Sequence, residues 1–197
     1  MKSYFIVPLG ELLDRYECSK IEESFKKFSC QRELDLEDFL LKKAISYEKT
    51  NFGKTYLCVD AEELELGDFC VMAYFTIAQH SLDISELPKK KKRKVLGNYP
   101  GRDGLSSIPT YLIGQLGRSD LYTKEDLPGE QLLNECYHAI SKAARIVGGK
   151  IIILECREKM YDKFYKNQGF NDLYGELSEE GLYTLYKKID FSEYWKE

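Results

Sequence analysis

Apolar side chains recur at helical spacing in three parts of the chain. The first comprises Ile21, Phe25 and Phe28, the second runs from 36 to 47, and the third spans 129–147. Spacings of three and four residues place these side chains on one face of a helix. The pattern therefore predicts three amphipathic helices, of which the last has the clearest apolar stripe before two glycines end it.

Short runs rich in β-branched and aromatic residues predict strands between these helices. The runs are 4–9, 55–59, 68–78, 110–117, 151–154, 170–174 and 182–188. Because a long helix separates 110–117 from 151–154, these two strands are expected to pair in parallel. The other strands suit antiparallel pairing, and the last two suit a hairpin that follows a short helix ending near Gly169. The fold class is α/β, with a mixed, mostly antiparallel sheet.

Length and composition indicate one domain covering residues 1–197. The chain is 43% hydrophobic, which is enough for a substantial core. No apolar run approaches the ~20 residues that a membrane helix needs, so we expect a cytoplasmic protein without membrane contact. Six scattered cysteines and two histidines favour reduced, mostly buried thiols, and we expect no metal site.

The net charge of −4 gives the chain no general attraction for nucleic acid. A local exception is the run KKKKRK at 89–94, inside the long polar segment 81–109. We interpret this run as solvated charge on a loop. Two alternatives stay open, namely contact with phosphates and the resemblance of PKKKKRKV to a monopartite nuclear import signal.

Two segments carry a resemblance to a known family: PTYLIGQLGRSD with LPGEQLL, within 109–133, and IIILEC with FYKNQGF, within 151–170. Together with the order of elements, they resemble the GNAT (Gcn5-related N-acetyltransferase) superfamily. The resemblance implies the acyl-CoA N-acyltransferase fold, with the sheet splayed at its central strands. It also implies an enzyme, a monomer or homodimer, that moves an acetyl group from acetyl-CoA to a primary amine by direct attack in a ternary complex.

The same resemblance implies a cofactor site around the start of the third helix. In the family, a loop of pattern Q/R-x-x-G-x-G/A holds the pyrophosphate of coenzyme A at a helix N-terminus, where amide groups converge. Here KEDLPG occupies the loop, with Leu127 in place of the first glycine and Pro128 lacking a donor. The implied cofactor-binding residues are Lys124, Gly129 and Glu130 in the loop and helix, and Ile113, Gly114, Gln115, Leu116 and Gly117 on the strand beside the pantetheine arm.

Tyr165 in FYKNQGF matches the family tyrosine that points toward the cofactor sulfur. A phenol with a pKa near ~10 can donate a proton to a leaving thiolate whose own pKa is near ~8.5. The alternative is that Tyr165 only packs on the sheet. No general base is assigned: the matching strand face offers Tyr111 and Gln115, Asp120 lies just beyond, and water is expected to take the amine proton.

The acceptor stays open at this point. The segments FSCQRELDLEDFLLKKA, YLIGQLGRSD and FYKNQGF look most similar to toxin acetyltransferases that act on aminoacyl-tRNA, but the acidic chain makes tRNA the less favoured acceptor. A protein-acetylating enzyme is another possibility. A module that binds acyl-CoA without turnover is a further alternative, since the phosphate loop is degenerate.

Overall fold

The computed structural model describes residues 1–195 as a mixed α/β fold. The strands are β1 (Tyr4–Pro8), β2 (Lys54–Asp60), β3 (Val71–Asp83), β4 (Ser107–Arg118), β5 (Ile151–Arg157), β6 (Asn171–Asp172) and β7 (Leu182–Lys188). The helices are α1 (Leu9–Leu13), α2 (Cys18–Phe25), α3 (Leu34–Lys42), α4 (Ala44–Lys49), α5 (Ala61–Glu65), α6 (Lys89–Leu96), α7 (Gly129–Val147) and α8 (Glu158–Met160).

Within these residues the strands form a seven-stranded sheet in the order β1-β2-β3-β4-β5-β7-β6. Strands β4 and β5 pair in parallel through Tyr111 with Ile152 and Leu112 with Ile153. The pairs β1–β2, β2–β3, β5–β7 and β6–β7 are antiparallel. The mixed, mostly antiparallel sheet, the parallel central pair and the final hairpin are therefore confirmed.

The chain divides into two compact units. The first comprises Met1–Ala78 and Ile113–Ala139, and the second comprises Gln79–Leu112 and the chain from Ile140 onward. Strands β3 and β4 and helix α7 each pass from one unit to the other. The boundary within β4 falls directly after the two residues that pair with β5.

Helices α1–α4 build the core of the first unit against β2 and β3. Their apolar faces contribute Phe25, Phe39 and Leu40, which pack with Leu57 of β2. Tyr74 of β3 is fully buried, and its hydroxyl donates to the carbonyl of Leu36 at 2.6 Å. A buried phenol that is satisfied in this way fixes where α3 starts relative to the sheet.

The predicted helix over 36–47 is two helices, because the backbone leaves helical geometry at Lys43, with φ of −122°. The third predicted helix is confirmed with the expected bounds, and the amide of Gly148 closes its last turn on the carbonyl of Ala144. The short helix before Gly169 is also present, and Gly169 has the expected positive φ of 81°.

The basic run 89–94 is not a solvated loop, as the sequence interpretation had it. It forms α6, which begins directly after Pro88. Lys92, Val95 and Leu96 are buried at spacings of three and four residues, and Val95 and Leu96 join the core of the second unit. The interpretation was wrong because six consecutive basic residues concealed the single position, Lys92, that completes an inward-facing stripe.

The cysteines of the described chain are free thiols, four of them buried, as the spacing indicated. Burial raises the pKa of Cys136 well above its usual range and raises that of Cys156 to about 11. Both thiols therefore stay protonated at neutral pH. Among residues 1–195, no helix combines the length and apolar character needed to cross a bilayer.

Candidate active site

The strand residues expected to face the pantetheine arm differ sharply in exposure. Ile113 and Gly117 are buried, Gly114 is exposed, and Gln115 and Leu116 are half-buried. A Cβ at Gly114 would meet nothing within 4 Å, whereas one at Gly117 would lie 2.3 Å from Cδ1 of Leu36. Gly114 therefore leaves open space beside the strand, and Gly117 is required by packing under α3.

We expect Gly117→Ala to lower the free energy of unfolding by ~1–3 kcal/mol, because the added methyl group must displace Leu36 from a filled core. Gly114→Ala, on the same strand, is the matched control and should change stability by less than ~1 kcal/mol. Urea unfolding of both variants measures the difference. Equal destabilisation by the two substitutions would contradict the distinct roles assigned to these glycines.

The helix start predicted to hold the pyrophosphate is present: α7 begins at Gly129, directly after Pro128. The amide of Leu132 donates to the carbonyl of Pro128, which closes the first turn. The amides of the three residues before Leu132 have no carbonyl four residues back within the helix, so they form the donor-rich end to which anions bind. Gly129 and Glu130 lie at this end, as expected.

The loop before α7 is closed by its own side chains. The Thr123 amide and hydroxyl both donate to Asp126 Oδ2, at 2.8 and 2.9 Å. These hydrogen bonds lower the pKa of Asp126, so the loop carries a fixed negative charge. The pattern T-x-x-D is a recognisable local signal for such a closure. The closure gives this loop a defined shape without the missing glycine.

Lys124 extends from this loop into solvent, with its side chain 81% exposed and Nζ 3.7 Å from Glu125. Its contact with a phosphate stays a prediction. A cation that hydrogen-bonds to the loop is Arg118, which the sequence analysis missed. Its Nε donates to the carbonyl of Tyr122 and its Nη1 to that of Leu127, at 3.0 and 2.7 Å.

A buried carboxylate anchors the same loop to the first strand. Asp60 is fully buried, and it accepts hydrogen bonds from the Lys2 ammonium, at 2.9 Å, and from the Tyr122 hydroxyl. The Lys2 amide donates to the carbonyl of Asp126. Burial, together with the nearby Asp60 charge, raises the pKa of Tyr122. These bonds fix both ends of the loop before any ligand binds.

Tyr165, the predicted proton donor, lies in the second unit, while Ile113–Gly117, Lys124, Gly129 and Glu130 lie in the first. It is the last residue of a π-helical turn, Tyr161–Tyr165, and its side chain is buried. The ring packs edge-on against Phe164 and Phe170, with centroids 5.0 and 5.5 Å away. π-Turns are uncommon and concentrate at functional sites.

Asp120 and Tyr111, two of the side chains considered for the general base, have other hydrogen-bond partners. Asp120 accepts from the amide of Gln31 at 2.6 Å and pairs with Arg32 at 2.9 Å, so it holds the loop after α2. The Tyr111 hydroxyl donates to the carbonyl of Gly148. These contacts give Asp120 and Tyr111 structural roles.

One cluster in the described chain has metal-ligand chemistry. The ligand atoms of Glu63, Asp68 and Cys70 lie within 4.8 Å of one another. The Lys27 ammonium forms an ion pair with Asp68 and lowers the pKa of its carboxyl group. The Lys27 ammonium therefore occupies the position beside Asp68 that a metal cation would take.

Solved structures with the same architecture cover nearly the whole chain. AtaT complexed with acetyl-methionyl-tRNAfMet is 21% identical with a TM-score of 0.66, over 92% of this chain and 94% of that one. A KacT variant is 17% identical with a TM-score of 0.70, over 98% of both chains. AtaTR bound with AcCoA is 19% identical with a TM-score of 0.69, over 99% and 98%.

The chain has the GNAT fold. The likeness to toxin acetyltransferases seen in the sequence thus extends to the backbone. No family model matches the chain. No curated protein matches it either. At these identities the GNAT fold is established, and the activity rests on the arguments that follow.

Proposed function

We propose that the chain is an acetyl-CoA-dependent N-acetyltransferase, acting as one catalytic domain in the cytoplasm, whose acceptor is the amine of an aminoacyl-tRNA. The observation that carries this proposal is the near-complete likeness in fold to AtaT complexed with acetyl-methionyl-tRNAfMet and to AtaTR bound with AcCoA. That likeness favours aminoacyl-tRNA over the unspecified primary amine to which the sequence pointed.

The cofactor half of the proposal uses the first unit. Acetyl-CoA supplies an activated acetyl group as a thioester. The amides that begin α7 bind its pyrophosphate, and the main-chain groups of Ile113–Gly117 orient the pantetheine arm, with the open side of Gly114 leaving room for it. Arg118 shapes the loop through two carbonyls and adds positive charge beside it.

The transfer step itself needs one proton donor and one proton acceptor. The acceptor nitrogen forms a bond to the acetyl carbonyl carbon, and the bond from that carbon to sulfur breaks. Tyr165 donates its phenolic proton to the departing sulfur, and water takes the proton from nitrogen. Among the described residues we assign no general base.

A screen with labelled acetyl-CoA tests the acceptor. Aminoacyl-tRNAs, polyamines, free amino acids and peptides are offered separately, and we expect label on an aminoacyl-tRNA, released as an N-acetyl amino acid after deacylation. Labelling of a small amine or peptide alone would retain the acetyltransferase and remove the tRNA acceptor. Binding of acetyl-CoA without transfer to any acceptor would favour the alternative of a non-catalytic acyl-CoA-binding module.

A protein partner is a further part of the proposal. An AtaT variant has been solved bound to the C-terminus of the antitoxin AtaR. We expect a comparable antitoxin-like partner for this chain, and co-purification of the full chain from its source cells tests for one.

A further inference from the structure

Helix α6 divides its six basic residues into two groups. Lys92 is buried and its ammonium donates to the carbonyl of Leu105 at 3.1 Å. Lys91 donates to the carbonyl of Asp172 at 2.7 Å, and Lys94 to Oδ1 of Asn171 at 3.4 Å. These three lysines attach the helix to the second unit, since their charges point to carbonyl and amide oxygens of neighbouring segments.

The other three basic residues, Lys89, Lys90 and Arg93, are exposed. Lys90 and Arg93, with Pro88, Lys91 and Lys94, line a surface groove of about 560 Å³. At a rise of ~1.5 Å per residue, Lys89 and Arg93 lie ~6 Å apart along the helix axis. A nucleic-acid strand presents one charge per ~3.4 Å of its axis, so this length corresponds to about two phosphate spacings.

The attachment of α6 places it beside the segment that holds Tyr165. Asn171 and Asp172, which accept from α6, directly follow Phe170 in the chain. Phe170 packs against the Tyr165 ring. The exposed cations of α6 are therefore attached, through β6, to the candidate proton donor within the same unit.

We infer that the exposed face of α6, formed by Lys89, Lys90 and Arg93, binds phosphates of the tRNA acceptor; the inference rests on the proposed function, whose acceptor it helps to position. The face supplies local positive charge to a chain whose net charge is −4. Phosphate contacts position a nucleic acid without reading its sequence, which suits a surface made of flexible cations.

The test compares two triple variants of the full chain with equal change in charge. The first is Lys89→Gln, Lys90→Gln and Arg93→Gln. The matched control is Arg15→Gln, Lys20→Gln and Lys43→Gln, all exposed positions of the first unit. Binding of an uncharged tRNA transcript is measured across a salt series without acetyl-CoA. We expect the α6 variant to bind ~10-fold or more weakly at low salt, with a shallower salt slope, and the control to bind like the parent.

Equal weakening by both variants would overturn the inference, since it would show a general charge effect. Binding to phosphatidylserine vesicles is measured with the same proteins. The inference would also be overturned if the α6 variant lost vesicle binding but kept tRNA binding, because α6 would then be a lipid-binding surface. Melting curves confirm that both variants fold. If the α6 variant loses tRNA binding but no aminoacyl-tRNA is acetylated by the parent, the surface stands and the proposed acceptor fails. If the α6 variant acetylates aminoacyl-tRNA as fast as the parent, the proposed acceptor stands and the α6 surface fails.

Discussion

We expect Tyr165→Phe to lower the single-turnover rate of acetyl transfer roughly a hundredfold, with little change in the affinity for acetyl-CoA. The substitution removes only the hydroxyl, while the ring keeps its edge-on contacts with Phe164 and Phe170. General acid catalysis contributes ~10²–10⁴-fold, and water replaces part of it. Single-turnover conditions are needed because slow product release would hide a defect in the chemical step.

Tyr174→Phe is the matched control for this experiment. Tyr174 belongs to the same unit, is exposed, and its hydroxyl donates to the carbonyl of Asp83. Its loss should leave the rate unchanged. If Tyr165→Phe also keeps the parental rate in a well-folded protein, the proton comes from solvent or from another group, and Tyr165 is a packing residue.

Acetyl-CoA at a hundred times its dissociation constant raises the free energy of unfolding by ~2.7 kcal/mol. For a chain of this length that corresponds to a rise in melting temperature of ~5–10 °C. Desulfo-coenzyme A should stabilise as well, because the proposed contacts, at the helix end of Gly129 and along the strand beside Gly114, are to the nucleotide and the pantetheine arm rather than to the thioester. Thermal unfolding with and without each ligand provides the measurement.

We expect Gly129→Val to weaken binding at the proposed pyrophosphate site while leaving the fold intact. The larger side chain blocks close approach to the first amides of α7, so the thermal shift should fall while the unliganded melting temperature stays near that of the parent. Gly104→Val, at a glycine with open space around it, should keep the full shift. A parental response from Gly129→Val would place the pyrophosphate elsewhere, and a flat response from the parent itself would remove acetyl-CoA from the proposal.

Local periodicity was enough to predict the main elements of the fold. Helix α7 has a stripe of buried residues at helical spacing, and the strand after it is a continuous apolar run, so both follow from short segments of sequence. The parallel pairing of the strands on either side of α7 follows as well, because a helix connects them, whereas their register came from the structure. The candidate donor, Tyr165, came instead from the resemblance of FYKNQGF to the GNAT superfamily, and its role stays a prediction.

Contacts between distant segments were not predictable in this way. Arg118 directly follows the predicted strand 110–117, and only the folded chain brings its guanidinium to the carbonyls of Tyr122 and Leu127. Nothing in the sequence distinguishes Asp60 from the other acidic residues, because its partners Lys2 and Tyr122 are distant in the chain. The break between α3 and α4 at Lys43 was not predicted, because the apolar pattern continues across it.

The division of α6 into buried and exposed lysines has a chemical consequence for reagents that attack amines. An ammonium group must lose a proton before it reacts, and it must be reachable. Lys92 is held against the carbonyl of Leu105 and is 8% exposed, whereas Lys89 and Lys90 face solvent. Acylating reagents should therefore label the run unevenly, reaching Lys89 and Lys90 while sparing Lys92 until the second unit unfolds. The lysines of this run thus report, position by position, on the integrity of the helix that contains them.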